Sequence, residues 1–379
     1  MASKKRIAIF SITYNPFIGG AEVAIKEVTD RLPDFEFDLL TARIDSKLPD
    51  QEKIGNVNVY RIGTGNKFFD KLFYPWRASR VALKMHKKNP YLIVHAVIAT
   101  YAGLASLLFK KKAQDIPYIL TLQSGDSDWF IMARTWFWYP LYKQIYTKAD
   151  KITAISNWLA DRAKRYGYKK EVYVISNGVD IEQFTCSIDE DEKSKIRESW
   201  GARENDFVVI TASRLVYKNG IDTLIDSIGH LPDDVKLVIA GDGRDEKELK
   251  SKARKFGDKI LFVGQVDHEK LPRLLKSADV FARISRTEGF GNSFIEAMAS
   301  CLPVIATPVG GIVDFIKDKE TGLFAKSGDA KSVAGAIMLL KNDSELREKI
   351  SKAGQSLARE KYDWKIITEQ YKNIYKKLI

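Results

Sequence analysis

The sequence predicts two α/β domains, each a doubly wound, mostly parallel sheet with helices on both faces. Short apolar runs alternate with amphipathic stretches along the 379 residues. The alternation restarts after an interval rich in Asp, Glu, Lys and Ser at 185–199. Buried parallel strands joined by crossover helices produce this pattern, because each strand is covered on both faces and so carries no polar alternation. A chain of this length normally divides into two or three domains and has enough apolar content for full cores.

In the first half, runs at 7–12, 37–40, 57–62, 92–96, 118–122, 151–155 and 172–175 read as strands. Helical patterns at 22–32, 77–88 and 101–111 separate several of them. The second series comprises 207–212, 236–240, 260–263, 280–283 and 303–306, with helices expected at 221–228 and 312–316. From about 351 to 379 the pattern is helical and includes Trp364, Ile367 and Tyr371. The boundary is expected near Ser187, giving domains at 1–186 and 187–355 and a terminal helical segment at 356–379. Ligands of open α/β sheets collect outside the carboxyl ends of the strands, here in the cleft expected between the two domains.

The most informative loop is 288–296, Glu-Gly-Phe-Gly-Asn-Ser-Phe-Ile-Glu, which follows the run 279–284 and opens a helical pattern. Backbone N–H groups at a helix start attract anions, and glycines let a ligand approach closely. Carboxylates are poor phosphate ligands, so Glu288 and Glu296 are assigned to neutral hydroxyl groups. Amide donors beside two hydroxyl-binding carboxylates suit a nucleotide-activated sugar and point to a glycosyltransferase. A capped surface helix with both glutamates solvated is the competing explanation, and the neighbouring loops weigh against it.

After the first strand, Tyr14-Asn15-Pro16-Phe17-Ile18-Gly19-Gly20 leads into a helix. Gly19 and Gly20 can expose N–H groups to a pyrophosphate, or simply form a loop that needs positive φ. In the second half, Arg214 and Lys218 lie just beyond strand 207–212 and can neutralise a departing diphosphate. Gly241-Asp242-Gly243 follows strand 236–240, so Gly243 joins the donor candidates. Gly264-Gln265-Val266 follows 260–263, where the backbone at Val266 could read a base edge or form a plain turn. Pro308-Val309-Gly310-Gly311 closes the pocket or turns tightly into the next helix.

Together these segments resemble the family-4 retaining glycosyltransferases of the GT-B fold, nearly end to end. Residues 288–296 match the family's E-x7-E element. That resemblance implies a nucleotide-sugar donor held mainly by the C-terminal domain and an acceptor held by the N-terminal one. It implies that Glu288 holds the donor sugar's hydroxyls and Glu296 the ribose. Gly289, Phe290, Gly291, Asn292 and Ser293 would line the sugar and phosphates, with Arg214 and Lys218 on the diphosphate. It also implies transfer with retention, no metal or other cofactor, and a C-terminal helix crossing back onto the first domain.

The chain departs from the family pattern twice. Relatives space the arginine and lysine of the basic loop five apart, whereas Lys218 is four after Arg214 and Asn219 takes the usual place. Many relatives carry a histidine where this chain has Gln123, in Thr121-Leu122-Gln123-Ser124-Gly125-Asp126. Glutamine takes no proton but can hydrogen-bond a sugar hydroxyl. A retaining transfer on one face needs no strong protein base if the departing phosphate accepts the acceptor's proton. Gln123, Asp126 and His95 remain acceptor or sugar candidates, against a turn-forming role for Asp126 and a satisfied core position for His95.

The net charge of +12 calls for an anionic partner without saying which. Basic residues crowd the stretch from Lys67 to Lys88, with a further run at Lys110-Lys111-Lys112, and aromatics are interleaved from Phe68 to Trp76 and again from Trp129 to Tyr139. That surface suits peripheral contact with an anionic membrane, or a solvated face. Nucleic acid is excluded as a partner for want of any recognised motif. Cys186 and Cys301 give neither a disulfide framework nor a metal cluster. No signal peptide and no apolar run of membrane-spanning length is read, so the expected location is cytoplasmic, including the inner membrane face. The expected reaction moves a hexose from a UDP- or GDP-sugar to a hydroxyl of a saccharide or lipid-linked acceptor, in polysaccharide or glycolipid assembly. A catalytically weak nucleotide-sugar-binding protein and a glycan phosphorylase are the alternatives.

Overall fold

The structure, a computed structural model, describes residues 5–17 and 19–379. Residues 1–4 of the expected first domain, and Ile18 of its first loop, lie outside the described residues. The chain divides into two units, one ending at Asn177 and joined by Trp364–Ile379, the other formed by Gly178–Asp363.

The first unit runs β1 (Lys5–Phe10), α1 (Gly20–Asp30), β2 (Phe35–Ala42), β3 (Gln51–Ile54), β4 (Val57–Ile62), α2 (Lys67–Lys88), β5 (Ile93–Val97) and α3 (Tyr101–Lys110). It continues with β6 (Tyr118–Leu122), α4 (Asp128–Thr135), α5 (Tyr139–Thr147), β7 (Lys151–Ala154), α6 (Asn157–Arg165) and β8 (Val172–Val174). The second unit contains α7 (Ile181–Phe184), α8 (Glu190–Ser199), β9 (Phe207–Ala212), α9 (Ile221–Ser227), β10 (Val235–Ala240), α10 (Glu246–Ala253) and β11 (Ile260–Gly264). It closes with α11 (Leu271–Lys276), β12 (Val280–Arg283), α12 (Asn292–Ala299), β13 (Val304–Ala306), β14 (Leu323–Phe324), α13 (Ala330–Asn342) and α14 (Ser344–Lys361). The last helix, α15 (Trp364–Lys376), belongs to the first unit.

Strand order is β3-β4-β2-β1-β5-β6-β7-β8 in the first sheet and β11-β10-β9-β12-β13-β14 in the second. All neighbours are parallel except β3 and β4. The central strands are mainly apolar because helices cover both faces: Ile7, Phe37, Ile93 and Ile119 lie in one core and Val209, Leu237, Ile239 and Ala282 in the other. Sequence periodicity missed two strands. β3 is Gln-Glu-Lys-Ile, a polar antiparallel edge open to solvent on one side, and β14 is only two residues long. The helix expected at 312–316 is instead a single 3₁₀ turn at Gly310–Asp314.

Both unit boundaries differ from the expected ones. Residues 178–186 belong to the second unit because Val179 N–H donates to the Tyr362 carbonyl at 2.7 Å and Phe184 is fully buried. The hydrophilic interval mistaken for a linker is α8, a helix without a buried residue, N-capped by Asp189. A solvated helix and a linker have the same composition, so sequence does not separate them. At the other end, residues 356–361 remain in α14, whose Gly354 packs on Met298 and whose Gln355 amide donates to the Ala299 carbonyl at 3.0 Å.

Helix α15 seals the first unit against α1. Ile367, Tyr371, Ile374 and Tyr375 enter its core, with the Tyr375 ring 5.6 Å from Phe35 and 6.3 Å from Phe37. Beneath it, His95 on β5 has both ring nitrogens engaged, with the Tyr375 hydroxyl at 2.9 Å and Thr121 Oγ1 at 2.6 Å. Burial pushes its pKa down to about 3. Unfolded His95 takes a proton near its ordinary value of about 6.5. The unfolded state therefore binds more protons, and stability falls as pH drops from about 6.5 towards 3. His95→Ala should cost about 2–4 kcal/mol at pH 7, from a cavity and two hydroxyls stripped of a partner. Urea unfolding at neutral and acidic pH should also show a shallower acid dependence in the variant than in the parent.

Candidate active site

The carboxyl edge of the second sheet is built by backbone meeting backbone at glycine. Gly220, before α9, has φ +65°, and a Cβ there would lie 1.8 Å from the Ile284 carbonyl oxygen. Gly310 has φ +57° and would place a Cβ 1.8 Å from the Glu288 carbonyl oxygen. Gly241 and Gly243 bring the loop after β10 almost as close to Ser213 and Leu215, whose carbonyl oxygens a Cβ would meet at 2.0 and 2.3 Å. Backbone hydrogen bonds complete the joint: Leu215 N–H donates to Asp242 O at 2.6 Å, Arg286 N–H to Lys218 O at 2.7 Å and Gly311 N–H to Glu288 O at 3.2 Å. Four strand-end loops thus form one surface.

Glu288 sits on that surface, fixed by Arg283 from the last position of β12. The Arg283 guanidinium ion-pairs with Glu288 through Nη2, donates to Ser293 Oγ at 2.8 Å through Nη1 and to Ser285 Oγ at 3.1 Å through Nε. Its carbon lies 4.8 Å over the Phe294 ring. The other Glu288 oxygen accepts the Gly289 N–H at 3.0 Å. A carboxylate offers about four acceptor sites, so lone pairs remain for hydroxyl donors. Gly291 caps α12 with φ +100° and brings no capping side chain, leaving the start of the helix to its backbone amides. Phe290 points away, buried against Phe315 and Tyr362 with centroids 5.2 and 5.5 Å apart. Only its backbone can face a ligand.

Glu296 lies one turn further along α12. His268, in the loop after β11, is within 3.1 Å of its carboxylate through Nε2. The imidazole also packs edge-on to Phe184, and the His268 backbone carbonyl accepts the Gln183 side-chain amide at 3.0 Å. Gly264, which starts that loop, is left-handed at φ +72°, and its carbonyl accepts Gly241 N–H at 2.7 Å. Val266 follows, half-buried.

In the basic loop, Arg214 is exposed and Lys218 half-buried. Asn219, where the family resemblance leads one to expect lysine, is buried, and its amide donates to the Arg214 carbonyl at 2.7 Å. Its side chain is spent on holding the loop. Arg286 makes a two-pronged pair with Asp222 at 2.8 and 2.7 Å and stacks 4.0 Å over Tyr217. Burial would raise the Asp222 carboxyl, but the hydrogen bonds and charge of Arg286 bring it below its ordinary value.

The remaining candidates stand on the first unit. Gly19 caps α1 in an extended conformation at φ −144°, so it does not require left-handed backbone. Gly20 opens the helix. Asp126 accepts the Ser124 hydroxyl at 2.8 Å within its turn, and its carbonyl accepts from Arg162. Gln123 Oε1 is buried with no hydrogen-bond partner among the described residues, beside a cavity of about 20 Å³ lined by His95, Thr121 and Tyr371. Among the described residues, no three His, Cys, Asp or Glu side chains gather as a metal-binding group, and Cys186 and Cys301 are free thiols.

Comparison with known proteins agrees with this arrangement. Residues 192–357 match the family described as glycosyl transferases group 1, and residues 18–183 match glycosyltransferase family 4. The chain belongs to the GT4-type glycosyltransferases. An uncharacterised glycosyltransferase of Methanocaldococcus jannaschii is 28% identical, covering 98% of both chains. A GDP-mannose-dependent monoacylated alpha-(1-6)-phosphatidylinositol monomannoside mannosyltransferase of Corynebacterium glutamicum is 30% identical over 61% of this chain and 63% of its own. Sucrose-phosphate synthase from Thermosynechococcus elongatus superposes with a TM-score of 0.85 at 22% identity, covering 99% of both chains. Anabaena HepE, in complex with UDP and glucose, gives 0.82 at 22% identity over 98% of this chain and 100% of its own. The fold is GT-B, with two Rossmann-like units.

Within this glycosyltransferase the structure gathers Arg214, Lys218, Gly243, Gly289, Gly291, Asn292 and Ser293 with Glu288 on linked loops of one sheet edge. It removes His95 from consideration as a reacting group, because both ring nitrogens are committed within the core. Sequence reasoning missed Arg283 and His268. Arg283 was counted only as the last residue of a strand, although an arginine closing an apolar run is itself a signal. His268 lies two residues past the Gly264-Gln265-Val266 loop.

Arg283→Met should cost about 3–5 kcal/mol, since it strands a mostly buried carboxylate. Adding Glu288→Gln should recover much of that loss. A double-mutant cycle by denaturant unfolding reads the coupling, and additive costs would show that the two groups do not interact.

Proposed function

We propose that the enzyme transfers a hexose, with retention, from a UDP- or GDP-sugar to a hydroxyl of a saccharide or lipid-linked acceptor, in polysaccharide or glycolipid assembly. The observation that carries this reading is the junction of an arginine-fixed carboxylate, a glycine-opened helix start and a basic loop on one sheet edge. The UDP and glucose held by HepE and the GDP-mannose dependence of the C. glutamicum relative support the donor class. The second unit is assigned the donor and the first the acceptor.

In this reaction the bond between the anomeric carbon and the diphosphate oxygen breaks, and the nucleoside diphosphate departs with the electron pair. The acceptor oxygen bonds to the anomeric carbon on the same face, and its proton passes to the departing phosphate. Arg214 and Lys218 stabilise charge that grows as the bond breaks, which favours the transition state over bound donor. Backbone amides at Gly291 to Ser293 assist from the start of α12. Glu288 accepts hydrogen bonds from the sugar hydroxyls and Glu296 from the ribose, with His268 orienting the latter carboxylate. Two side-chain cations on the diphosphate take the part a metal would otherwise play, so no metal is invoked.

Arg214→Ala should lower kcat by roughly 100-fold with little change in KM, since its partner charge exists fully only in the transition state. Glu288→Gln keeps the shape of the Arg283 contact and should abolish most transfer while leaving far-UV circular dichroism unchanged. Near-normal turnover would refute its assignment. Activity should survive EDTA, and its loss with recovery on adding a divalent cation would overturn the metal-free mechanism. A thermal-shift screen over UDP-, GDP- and ADP-sugars identifies the donor, because a bound donor stabilises the folded state by mass action.

A further inference from the structure

We propose that the first unit docks on an anionic lipid bilayer through the carboxyl edge of its sheet, using the starts of α2 and α3 and the segment 128–138. Of the eighteen large apolar residues exposed among the described residues, eleven lie on these three stretches. On α2 they are Phe68, Phe69, Leu72, Phe73 and Trp76, the successive turns of one exposed face. In 128–138, Trp129 is 77% exposed, Trp136 74% and Phe137 71%. Tyr101 opens α3 between them.

The topology gathers these stretches at one end of the unit. Helices α2, α3 and α4 follow the parallel strands β4, β5 and β6, so each begins at the carboxyl end of the sheet. Helix α2 packs on α3, α3 on α5, and α4 leads into α5. Isolated exposed apolar residues need no explanation, but a concentrated patch marks an interaction site.

Charge selects the occupant. Helix α2 carries seven basic residues and one acidic one. That one, Asp70, is buried and held by Thr64 N–H at 2.8 Å, Gly65 N–H at 2.7 Å and Arg77 at 2.9 Å. The face therefore presents cations without exposed counter-ions on the same helix. Arg134 lies 4.2 Å over Phe130 and Arg77 5.6 Å over Phe73, pairing guanidinium with ring as an interface between headgroups and acyl chains requires. Rings three-quarters exposed stand proud of the surface, whereas a peptide groove would shelter its lining side chains. A second copy of the chain would set like charges against each other. Anionic phospholipid answers both the rings and the lysines. No helix among the described residues is long and apolar enough to cross a membrane, so the contact is peripheral.

This proposal stands apart from the donor assignment, since binding is measured without donor or acceptor. Full-length protein is sedimented with vesicles of phosphatidylcholine alone and of phosphatidylcholine with one part in three phosphatidylglycerol. Association is expected with the anionic vesicles only, weakening as salt rises. It should fall by roughly ten-fold or more in Trp129→Ser/Trp136→Ser/Phe137→Ser and by about five-fold in Lys67→Gln. Circular dichroism and transfer to a soluble acceptor should be unchanged in both variants. Failure to bind anionic vesicles, equal binding to neutral ones, or undiminished binding by the folded triple variant would overturn the proposal. So would a concentration-dependent dimer that the triple variant abolishes, because a second copy would then own the face.

Discussion

At Gly310 and Gly220 the main chain of one loop lies against the carbonyl of another so closely that a Cβ would come within 1.8 Å of oxygen. Such contacts leave no slack: neither loop can move without the other, and no side chain can be inserted between them. The consequence runs through the whole second unit. Residue 310 fixes the carbonyl of Glu288, residue 220 fixes that of Ile284, and the five residues from Ile284 to Glu288 are pinned at both ends. Arg286 adds a third tether by donating its amide to Lys218 and its guanidinium to Asp222. The basic loop and the acidic loop are therefore one rigid object, although they are about seventy residues apart in sequence.

Rigidity of that kind matters because the proposed chemistry is electrostatic. Fixed charges stabilise a transition state only to the degree that they need not reorganise when it forms. Arg283 serves this end at Glu288. A buried ion pair adds little net stability, since desolvation cancels much of the attraction. What the pair does provide is direction: one oxygen is bound to a guanidinium, the other to Gly289 N–H, and the remaining lone pairs face a defined side. The same guanidinium reaches Ser293 at 2.8 Å, so the carboxylate and the first turn of α12 are set by one side chain.

Much of this was legible in the amino-acid order. Strands at Tyr118–Leu122, Phe207–Ala212 and Val280–Arg283 were read with their observed limits, because a strand buried on both faces announces itself as an unbroken apolar run. The E-x7-E segment and the basic loop were legible because glycines and charges at strand ends are costly unless used. What sequence hid was long-range. The role of α8 depends on Arg197 reaching Asp279, and the commitment of His95 depends on Tyr375, 280 positions away. The first half of α2 also escaped periodicity, since its apolar residues face outward and blur the stripe that marks a buried helix face.

Asn219 shows how a departure from a family's pattern can be absorbed. Its amide binds the Arg214 carbonyl from inside the loop, a contact a lysine ammonium at that position would give up on reaching outward for phosphate. Moving the cation one residue back, to Lys218, frees position 219 to brace the turn that leads into left-handed Gly220. Gly220 cannot shift, because Ile284 blocks it, so the brace at Asn219 holds the loop's geometry. A lysine's flexible four-carbon stem spans a one-residue shift of the cation, which a short cation would not. The backbone contact beneath the basic loop is thus the constraint that lets the proposed cation sit at Lys218 while Asn219 braces the turn.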